Sequence, residues 1–368
     1  RNYMVLGVET SCDDTGVAIV TSDRQILGQS LASQVETETY GGVKPNVAAR
    51  EHRRNLPVVL SAALKDANVT VRDVDALAVT VGPGLSPCLY AGVNAVTSLA
   101  RDTQHQVYPV NHLEGHVLTA RLYDEGLEFP FMVLLVSGGH CQILVAHGVG
   151  NYSVLGTTLD DSLGEAFDKT ARLLGLGPFG SQIEALAKIG DPERFTFPTP
   201  MLLTRSCDFS FSGLKSAVRK TVDELPAPLS ESDKADLAAD FQRAAFSHIE
   251  NKTARALRWA KEHEQHLSAL VGHAELRTRH SPLQVLCGGV ARNEALRALC
   301  SGLAADAGLG LCVPPPSVCT DNGVMIAWAA LEHYLVRPKV SGPIGGEQIE
   351  ELVRPRWPLG PSLRVWTK

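Results

Sequence analysis

Apolar residues occur along the chain in short runs that end at turns rich in glycine, hydroxyl or acidic residues. Residues 4–9 form one such run, and residues 17–20 form another after a small acidic turn. The same arrangement recurs at residues 131–136 and 142–145, across a Ser-Gly-Gly-His turn. Short apolar runs joined by such turns predict β-hairpins. Two copies of one hairpin pattern indicate an internally duplicated fold with a cleft between the copies.

Other segments combine a strand, a glycine turn and a helix. Residues 76–84 have the pattern of a buried strand and a Gly-Pro-Gly turn, and they lead into helical periodicity at residues 90–100. Residues 283–289 repeat this pattern before a helix that starts near Ala291. Backbone amides in such turns can approach phosphates or a nucleoside, although an isolated glycine turn is usually only a turn. Residues 230–264 are predicted to form a long helix with one buried face.

Composition narrows the class of protein. The chain has 368 residues, 44% of them hydrophobic and 20% charged, which is typical of a globular protein with two domains or lobes. Its net charge of -6 gives no overall attraction to nucleic acid, so any such contact depends on local cations. The apolar runs are too short to cross a bilayer, and we expect no membrane contact. The 8 cysteines form no C-x-x-C pair, which argues for reduced thiols and against a zinc–cysteine site.

Two histidines follow the apolar run at residues 107–110. On a helix, His112 and His116 lie one turn apart on the same face, where both rings reach one cation. The spacing therefore predicts a divalent metal site; the alternative is a polar helix surface with two unrelated histidines. Zinc peptidases place a glutamate directly after the first histidine. Here Glu114 comes two positions after His112, about 200° around the helix, so it is predicted to point away from the metal.

A set of motifs occurs in one order along nearly the whole chain: GVETSCDDT at 7–15, the histidine pair, VSGGH at 136–140, GEAFDK at 164–169, DFSFSGLK at 208–215, GGVARN at 288–293 and DNG at 321–323. In this order the motifs closely resemble the tRNA N6-adenosine threonylcarbamoyltransferase family, whose members were formerly described as O-sialoglycoprotein endopeptidases. The resemblance implies an α/β, actin-like and sugar-kinase-like ATPase fold. Two lobes of duplicated βββαβα architecture are expected around a central nucleotide cleft. We expect an N-terminal lobe at residues 1–122, with residues 325–368 packing back on it, and a C-terminal lobe at residues 123–324.

The resemblance also implies the metal ligands. His112, His116 and Asp321 are expected to bind one divalent metal ion, iron or zinc, and to form the catalytic set. Histidine and carboxylate ligands with open positions suit either metal. The alternative role of Asp321 is to cap the helix that follows it.

Further site residues are implied on the substrate side. The segment expected to wrap the phosphate or acyl-phosphate part of the ligand comprises Leu135, Val136, Ser137, Gly138 and Gly139. The residues expected to hold the AMP-type nucleoside are Asp168, Gly180, Glu184 and Asn293. The amides of residues 137–139 are expected to stabilise developing negative charge. An ion pair with Lys169 or Arg172 is the alternative role of Asp168. The turn at residues 177–181 is one residue shorter than in the family.

The implied activity is metal-assisted acyl transfer. A separate synthase supplies threonylcarbamoyl-adenylate, the threonylcarbamoyl group passes to N6 of the adenosine adjacent to the tRNA anticodon, and AMP leaves. A zinc metallopeptidase and an ATP-dependent kinase or ATPase of the same fold are the alternatives. The sequence RPRWPL at residues 354–359 resembles bacterial and mitochondrial members. We therefore expect a homodimer in the mitochondrial matrix, with the bacterial cytoplasm as the alternative.

We expect tRNA to bind through a local cluster of basic side chains. The densest early cluster comprises Lys44, Arg50, Arg53 and Arg54, and a helix from Val47 would place Arg50 and Arg54 on one face. Solvated surface charge is the alternative interpretation. The polar, histidine-rich residues 263–282 are predicted to form a surface insertion.

Overall fold

The computed structural model describes residues 2–34, 43–263, 284–336 and 350–363. The predicted insertion lies, after His263, outside these ranges. The chain divides into two compact units, Arg1–Gly126 with Thr320–Leu359 and Leu127–Cys319 with Gly360–Lys368. The domain bounds predicted from the sequence remain a prediction.

Strands and helices are interspersed along the whole chain. The strands are β1 Met4–Glu9, β2 Asp14–Thr21, β3 Ile26–Ser33, β4 Ala76–Gly82, β5 Val107–Asn111, β6 Phe131–Val136, β7 Cys141–Gly148, β8 Asn151–Thr157, β9 Gln284–Cys287 and β10 Leu311–Cys312. The helices are α1 Pro45–Asp66, α2 Ser86–Thr103, α3 His112–Tyr123, α4 Leu163–Leu173, α5 Ser181–Ala187, α6 Ser212–Glu224, α7 Glu231–Glu262, α8 Glu294–Asp306, α9 Pro316–Cys319 and α10 Gly323–Val336.

The two units contain sheets of the same topology. The first sheet has the order β3-β2-β1-β4-β5, and the second has the order β8-β7-β6-β9-β10. In each sheet the first three strands pair antiparallel and the last two join in parallel. Both predicted hairpins are present: Met4 pairs with Thr21, and Phe131 pairs with Ala146. The predicted internal duplication is therefore confirmed.

The two faces of β1 carry different side chains because successive residues of a strand point to opposite sides. Leu6 and Val8 belong to the buried core that also contains residues of α1 and α2. Gly7 lies under α10, where an added Cβ atom would stand 2.4 Å from the Ala327 nitrogen. At Gly16 of β2, an added Cβ atom would stand 2.7 Å from the Gly323 nitrogen. These two glycines let α10 begin directly on the sheet.

The second unit has its own core, built around aromatic side chains of α4 and α7. The rings of Phe167 and Phe241 meet edge to face, with centroids 5.0 Å apart. Helix α7 confirms the long helix predicted at residues 230–264. The Ser230 side chain accepts a hydrogen bond from the Asp233 amide at its start. Such a capping box satisfies amides that have no partner within the helix.

Candidate functional site

Helix α3 places the two histidines of the first unit side by side. It begins at His112 because the side-chain oxygen of Asn111 accepts hydrogen bonds from the amides of Leu113 and Glu114. The rings of His112 and His116 are buried, edge to face, with centroids 4.8 Å apart. The predicted helix and its shared face are confirmed.

Asp321 joins the histidine pair from the turn before α10. Its Oδ1 atom lies 3.0 Å from Nε2 of His116 and 3.6 Å from Nε2 of His112. One ligand atom from each of the three residues lies within 4.8 Å of the others. Asn322, not Asp321, caps α10, because its side-chain oxygen accepts from the Met325 amide at 3.0 Å. The alternative cap role of Asp321 is therefore wrong.

The buried carboxylate of Glu9 contacts His112, the first histidine of the pair. Oε2 of Glu9, at the end of β1, lies 3.2 Å from Nδ1 of His112 and accepts a hydrogen bond from the Thr80 hydroxyl at 2.5 Å. Its Oε1 accepts from the Ser11 amide at 2.6 Å, and the Ser11 hydroxyl lies 3.1 Å from Nδ1 of His112. Sequence reasoning missed the role of Glu9. The available signal was a carboxylate ending a fully apolar strand.

The surroundings of Asp321 are acidic. Burial, with the charge of Asp321 as a smaller cause, raises the pKa of Asp13. Burial also raises the pKa of Asp14 to about 7, against a hydrogen bond from Ser33 that lowers it. Burial lowers the pKa of His112, but Asp321 and Glu9 outweigh it and raise the pKa to about 9. The negative charge of Asp321 acts on both aspartates, and a cation beside them would offset this repulsion.

Glu114 does not belong to this cluster. Its Oε2 atom lies 2.9 Å from Nε2 of His333 on α10. The prediction that Glu114 points away from the histidine pair is confirmed. It is not placed to act as base on a ligand of that pair.

In the second unit, the segment that follows β6 is a tight turn. Leu135 and Val136 pair with β7 through their backbones and are buried. The Ser137 amide donates to the His140 carbonyl at 2.8 Å, and the Ser137 hydroxyl accepts from the His140 amide at 3.0 Å. The Ser137 amide therefore already has a backbone partner in this structure, and its expected part in stabilising negative charge stays a prediction. An added Cβ atom at Gly138 or Gly139 would have no neighbour within 4 Å, so both residues have free space on their side-chain side.

The residues predicted to bind the nucleoside make hydrogen bonds within the protein, mainly with backbone amides. Oδ1 of Asp168 accepts from the Gly180 amide at 2.7 Å, which brings these two residues together. Oε1 of Glu184 accepts from the Glu294 amide at 3.0 Å, so Glu184 stands at the start of α8. The neighbouring Asn293 caps that helix through the Leu296 amide and donates to Gln242 at 3.1 Å. Lys169, one predicted partner of Asp168, bonds Asp161 and Glu165.

The predicted tRNA-binding cations lie at the start of α1. Arg50 and Arg54 are exposed on one helix, as predicted, and both approach Glu51, at 3.7 and 3.6 Å. Arg53 and Lys44 are also exposed. Both arginine side chains are largely exposed to solvent, which weakens their ion pairs with Glu51. Their contact with tRNA stays a prediction.

The sequence is similar to a large group of curated proteins. The family model of tRNA N6-adenosine threonylcarbamoyltransferase matches residues 25–328. A probable mitochondrial tRNA N6-adenosine threonylcarbamoyltransferase of Arabidopsis thaliana is 43% identical, over 98% of this chain and 75% of its own length. Proteins called tRNA N6-adenosine threonylcarbamoyltransferase from Sinorhizobium medicae and Brucella anthropi are 45% and 46% identical, over 96% of this chain and 95% of theirs.

Solved structures with lower sequence identity share the fold. Component A of (R)-2-hydroxyglutaryl-CoA dehydratase from Acidaminococcus fermentans superposes with a TM-score of 0.51 at 16% identity, covering 91% of this chain and 99% of its own. HypF of T. kodakarensis gives a TM-score of 0.57 at 13% identity, covering 91% of this chain and 48% of its own. With the two sheets of equal topology, these similarities confirm the predicted actin-like, sugar-kinase-like α/β fold.

Proposed function

Since the chain belongs to the tRNA N6-adenosine threonylcarbamoyltransferase family, we propose that it uses a divalent metal ion held by His112, His116 and Asp321 in its reaction. The reaction is transfer of the threonylcarbamoyl group from threonylcarbamoyl-adenylate to N6 of the adenosine adjacent to the tRNA anticodon, with release of AMP. The observation that carries the metal proposal is the approach of three ligand atoms to within 4.8 Å of one another in a buried, acidic part of the first unit.

The residues present fit such an ion. Two imidazoles and one carboxylate are ligands that iron and zinc both accept, and a set of three protein ligands leaves a position for substrate or water. Metal-binding histidines usually have a carboxylate partner on the ring nitrogen that does not bind the metal. Glu9 is such a partner for Nδ1 of His112, and Nε2 of the same ring points towards Asp321. Asn322 takes the helix cap, and the Asp321 carboxylate approaches both histidines.

When bound, the ion would act as a Lewis acid on the carbonyl oxygen of the threonylcarbamoyl group. The adenosine N6 amine attacks the carbonyl carbon and loses a proton to water. The bond from that carbon to the phosphate oxygen breaks, and AMP leaves with the electron pair. Asn111 and Glu9 serve this step by fixing the start of α3 and the orientation of the His112 ring. The protein needs no covalent nucleophile for this reaction.

The substrate-side residues of the second unit belong to the same proposal. The turn at Gly138 and Gly139 suits the phosphate of the adenylate, because neither residue has a side chain that would keep the phosphate away from the backbone. We assign the nucleoside to Asp168, Gly180, Glu184 and Asn293. Carboxylate oxygens accept hydrogen bonds from ribose hydroxyls, and an asparagine amide offers a donor and an acceptor. Leu135 and Val136 lead into this turn from β6 and belong to the same ligand-binding segment.

The alternatives have less support. A metallopeptidase of the predicted type requires a glutamate base beside the first histidine, whereas Glu114 hydrogen-bonds His333. A kinase or ATPase leaves the buried histidine pair without a role, since such enzymes hold magnesium chiefly through phosphates and water.

We also propose a homodimer in the mitochondrial matrix that receives its adenylate from a separate synthase. The similarity to a probable mitochondrial relative supports this compartment, and equal similarity to bacterial relatives supports the bacterial cytoplasm as the alternative. Within the described residues, no helix combines the length and the hydropathy that a membrane span requires.

Reconstitution tests the proposal directly. The chain is incubated with a threonylcarbamoyl-adenylate synthase, unmodified tRNA and either iron or zinc, and the tRNA nucleosides are analysed by mass spectrometry. Modified adenosine without a further protein supports the self-sufficient homodimer. Modification that requires added bacterial accessory subunits supports the bacterial alternative. No modification under either condition contradicts the proposed reaction.

A further inference from the structure

Two lysines from separate sequence motifs converge on one carboxylate in the second unit. Lys169 of α4 belongs to the motif at residues 164–169, and Lys215 of α6 belongs to the motif at residues 208–215. Their ammonium groups bind the two oxygens of Asp161, at 2.7 Å for Lys215. These bonds lower the pKa of Asp161, against burial, which raises it. The shared carboxylate therefore fixes both lysines and holds α4 and α6 at a set distance.

A basic cavity opens beside this pair. One turn further along each helix stand Arg172 and Arg219, both exposed. Together with Leu173 and the two lysines, they line a cavity with a volume of about 400 Å³. This volume falls within the range of ligand-binding cavities. Within the described residues, both lysines bond Asp161, and Lys169 also approaches Glu165.

We propose that this basic cavity, lined by Lys169, Arg172, Lys215 and Arg219, binds a phosphodiester of the tRNA backbone. The inference rests on the proposed function, because it takes tRNA as the substrate. A chain of net charge -6 repels tRNA as a whole, so binding depends on places where cations are concentrated. Guanidinium groups match the planar arrangement of two phosphate oxygens, and the fixed lysines add point charge beneath them.

The lining favours a backbone phosphate over a free nucleotide. A nucleobase is usually held by stacking on aromatic side chains. Among the described residues, the lining of this cavity consists of the four cations and Leu173, so it offers charge and no aromatic ring for stacking. A phosphodiester needs only the charge and the hydrogen-bond donors. Because such contacts carry no sequence information, the cavity would position the tRNA and leave recognition of the adenosine to other residues.

Neighbouring residues of α6 provide a matched test. Arg219 lines the cavity, whereas Lys220 does not; its side chain is 80% exposed and lies 3.9 Å from Glu224. Arg219→Glu and Lys220→Glu make the same change of charge at adjacent positions. We expect Arg219→Glu to weaken tRNA binding roughly tenfold and to reduce the slope of log affinity against log salt by about one, measured between about 50 and 200 mM salt. Lys220→Glu should change either quantity by no more than about twofold.

Equal effects of the two variants on affinity and on the salt slope would overturn the proposal. A loss of AMP affinity in Arg219→Glu, with tRNA affinity unchanged, would also overturn it and assign the cavity to a free nucleotide. Circular dichroism and melting temperature establish that both variants are folded. At saturating tRNA, Arg219→Glu should retain its transfer rate and show only a raised KM for tRNA. The binding measurements do not depend on transfer, so failure of the wild-type protein to modify tRNA would count against the proposed function alone.

Discussion

The Glu9 carboxylate lies 3.2 Å from Nδ1 of His112, and the opposite nitrogen of that ring lies 3.6 Å from Asp321. A ring held in this way presents one nitrogen to the protein and the other to a metal. Glu9 is fully buried and also binds Thr80 and Ser11, so it cannot turn away without leaving buried polar atoms without partners.

Glu9→Gln should therefore lower metal affinity about 10- to 100-fold, because the amide holds the ring without the charge that strengthens its ligand nitrogen. Competition with a chelator of known affinity, followed by metal analysis, measures the change. Glu9→Asp shortens the side chain but keeps the charge, and we expect it to recover part of the affinity. Unchanged metal affinity in Glu9→Gln would show that the contact with His112 is only structural.

His116→Ala should remove the bound metal and reduce transfer by roughly two orders of magnitude or more, because it takes away one of three protein ligands. This variant is cleaner than His112→Ala, which also leaves the Glu9 carboxylate buried without its histidine partner at a cost of about 1–3 kcal/mol. Metal content and single-turnover transfer are measured on the same preparations. Full transfer by metal-free His116→Ala would contradict catalysis by the metal.

Glu114→Gln, on the same helix, should retain metal and most of the transfer activity. The glutamine side chain can still accept a hydrogen bond from His333, and the carboxylate of Glu114 does not face the histidine pair. Metal content and transfer rate are compared with those of His116→Ala. A collapse of transfer with the metal still bound would show that Glu114 takes part in the chemistry.

The stability of the second unit should depend on pH through His248. Burial, assisted by the nearby charge of Lys252, lowers the pKa of His248 to about 4 from 6.5. The unfolded chain therefore binds the proton more tightly than the folded protein, and the stability present above pH 6.5 is lost as the pH falls from 6.5 to 4. The free energy of unfolding should fall by roughly 2–3 kcal/mol over that range.

Denaturant titrations between pH 7 and pH 4 measure this loss. His248→Gln removes the titrating group while keeping an acceptor for the Ser210 amide, which His248 binds at 3.2 Å. The part of the pH dependence due to His248 should disappear in this variant. An identical pH dependence in both proteins would assign the loss to other groups.

Charge reversal at Arg50 and Arg54 together should weaken tRNA binding and reduce its salt dependence, without changing affinity for the adenylate. Both side chains are exposed, but Glu51 between them offsets part of their charge. Glu51→Gln serves as the complementary change and should strengthen tRNA binding slightly. An unchanged salt slope in the double variant would place the tRNA contact elsewhere on the chain.

The sequence predicted the elements whose signal is local. The hairpins, the strand–turn–helix segments and the shared face of His112 and His116 follow from periods of two and 3.6 residues, and the structure has them. The position of Asp321 beside His116, 205 residues away in the chain, came from the family resemblance. Local spacing alone could not have brought these residues together.

The remaining features depend on contacts that no local pattern contains. The hydrogen bond from the Ser137 amide to the His140 carbonyl forms only when the turn between these residues is tight. The residue types in this turn do not show whether it is tight or open. Asn322 and Asp321 are both good cap residues, and only the placement of α10 decides between them. The contact of Glu9 with His112 and the meeting of Lys169 with Lys215 at Asp161 each join distant segments.

The absence of a side chain at Gly7 and Gly16 affects how the metal ligands come together during synthesis. Helix α10 rests on these positions of the first sheet, yet it follows the whole central part of the second unit in the chain. A nascent chain that ends before Asp321 contains the histidine pair, the supporting glutamate and an uncovered strip of sheet. The proposed binding of a metal by all three ligands would therefore require that α10 has left the ribosome and docked on the glycines. Loading of the proposed metal would therefore show that translation has passed residue 321 and that α10 has docked on the first sheet.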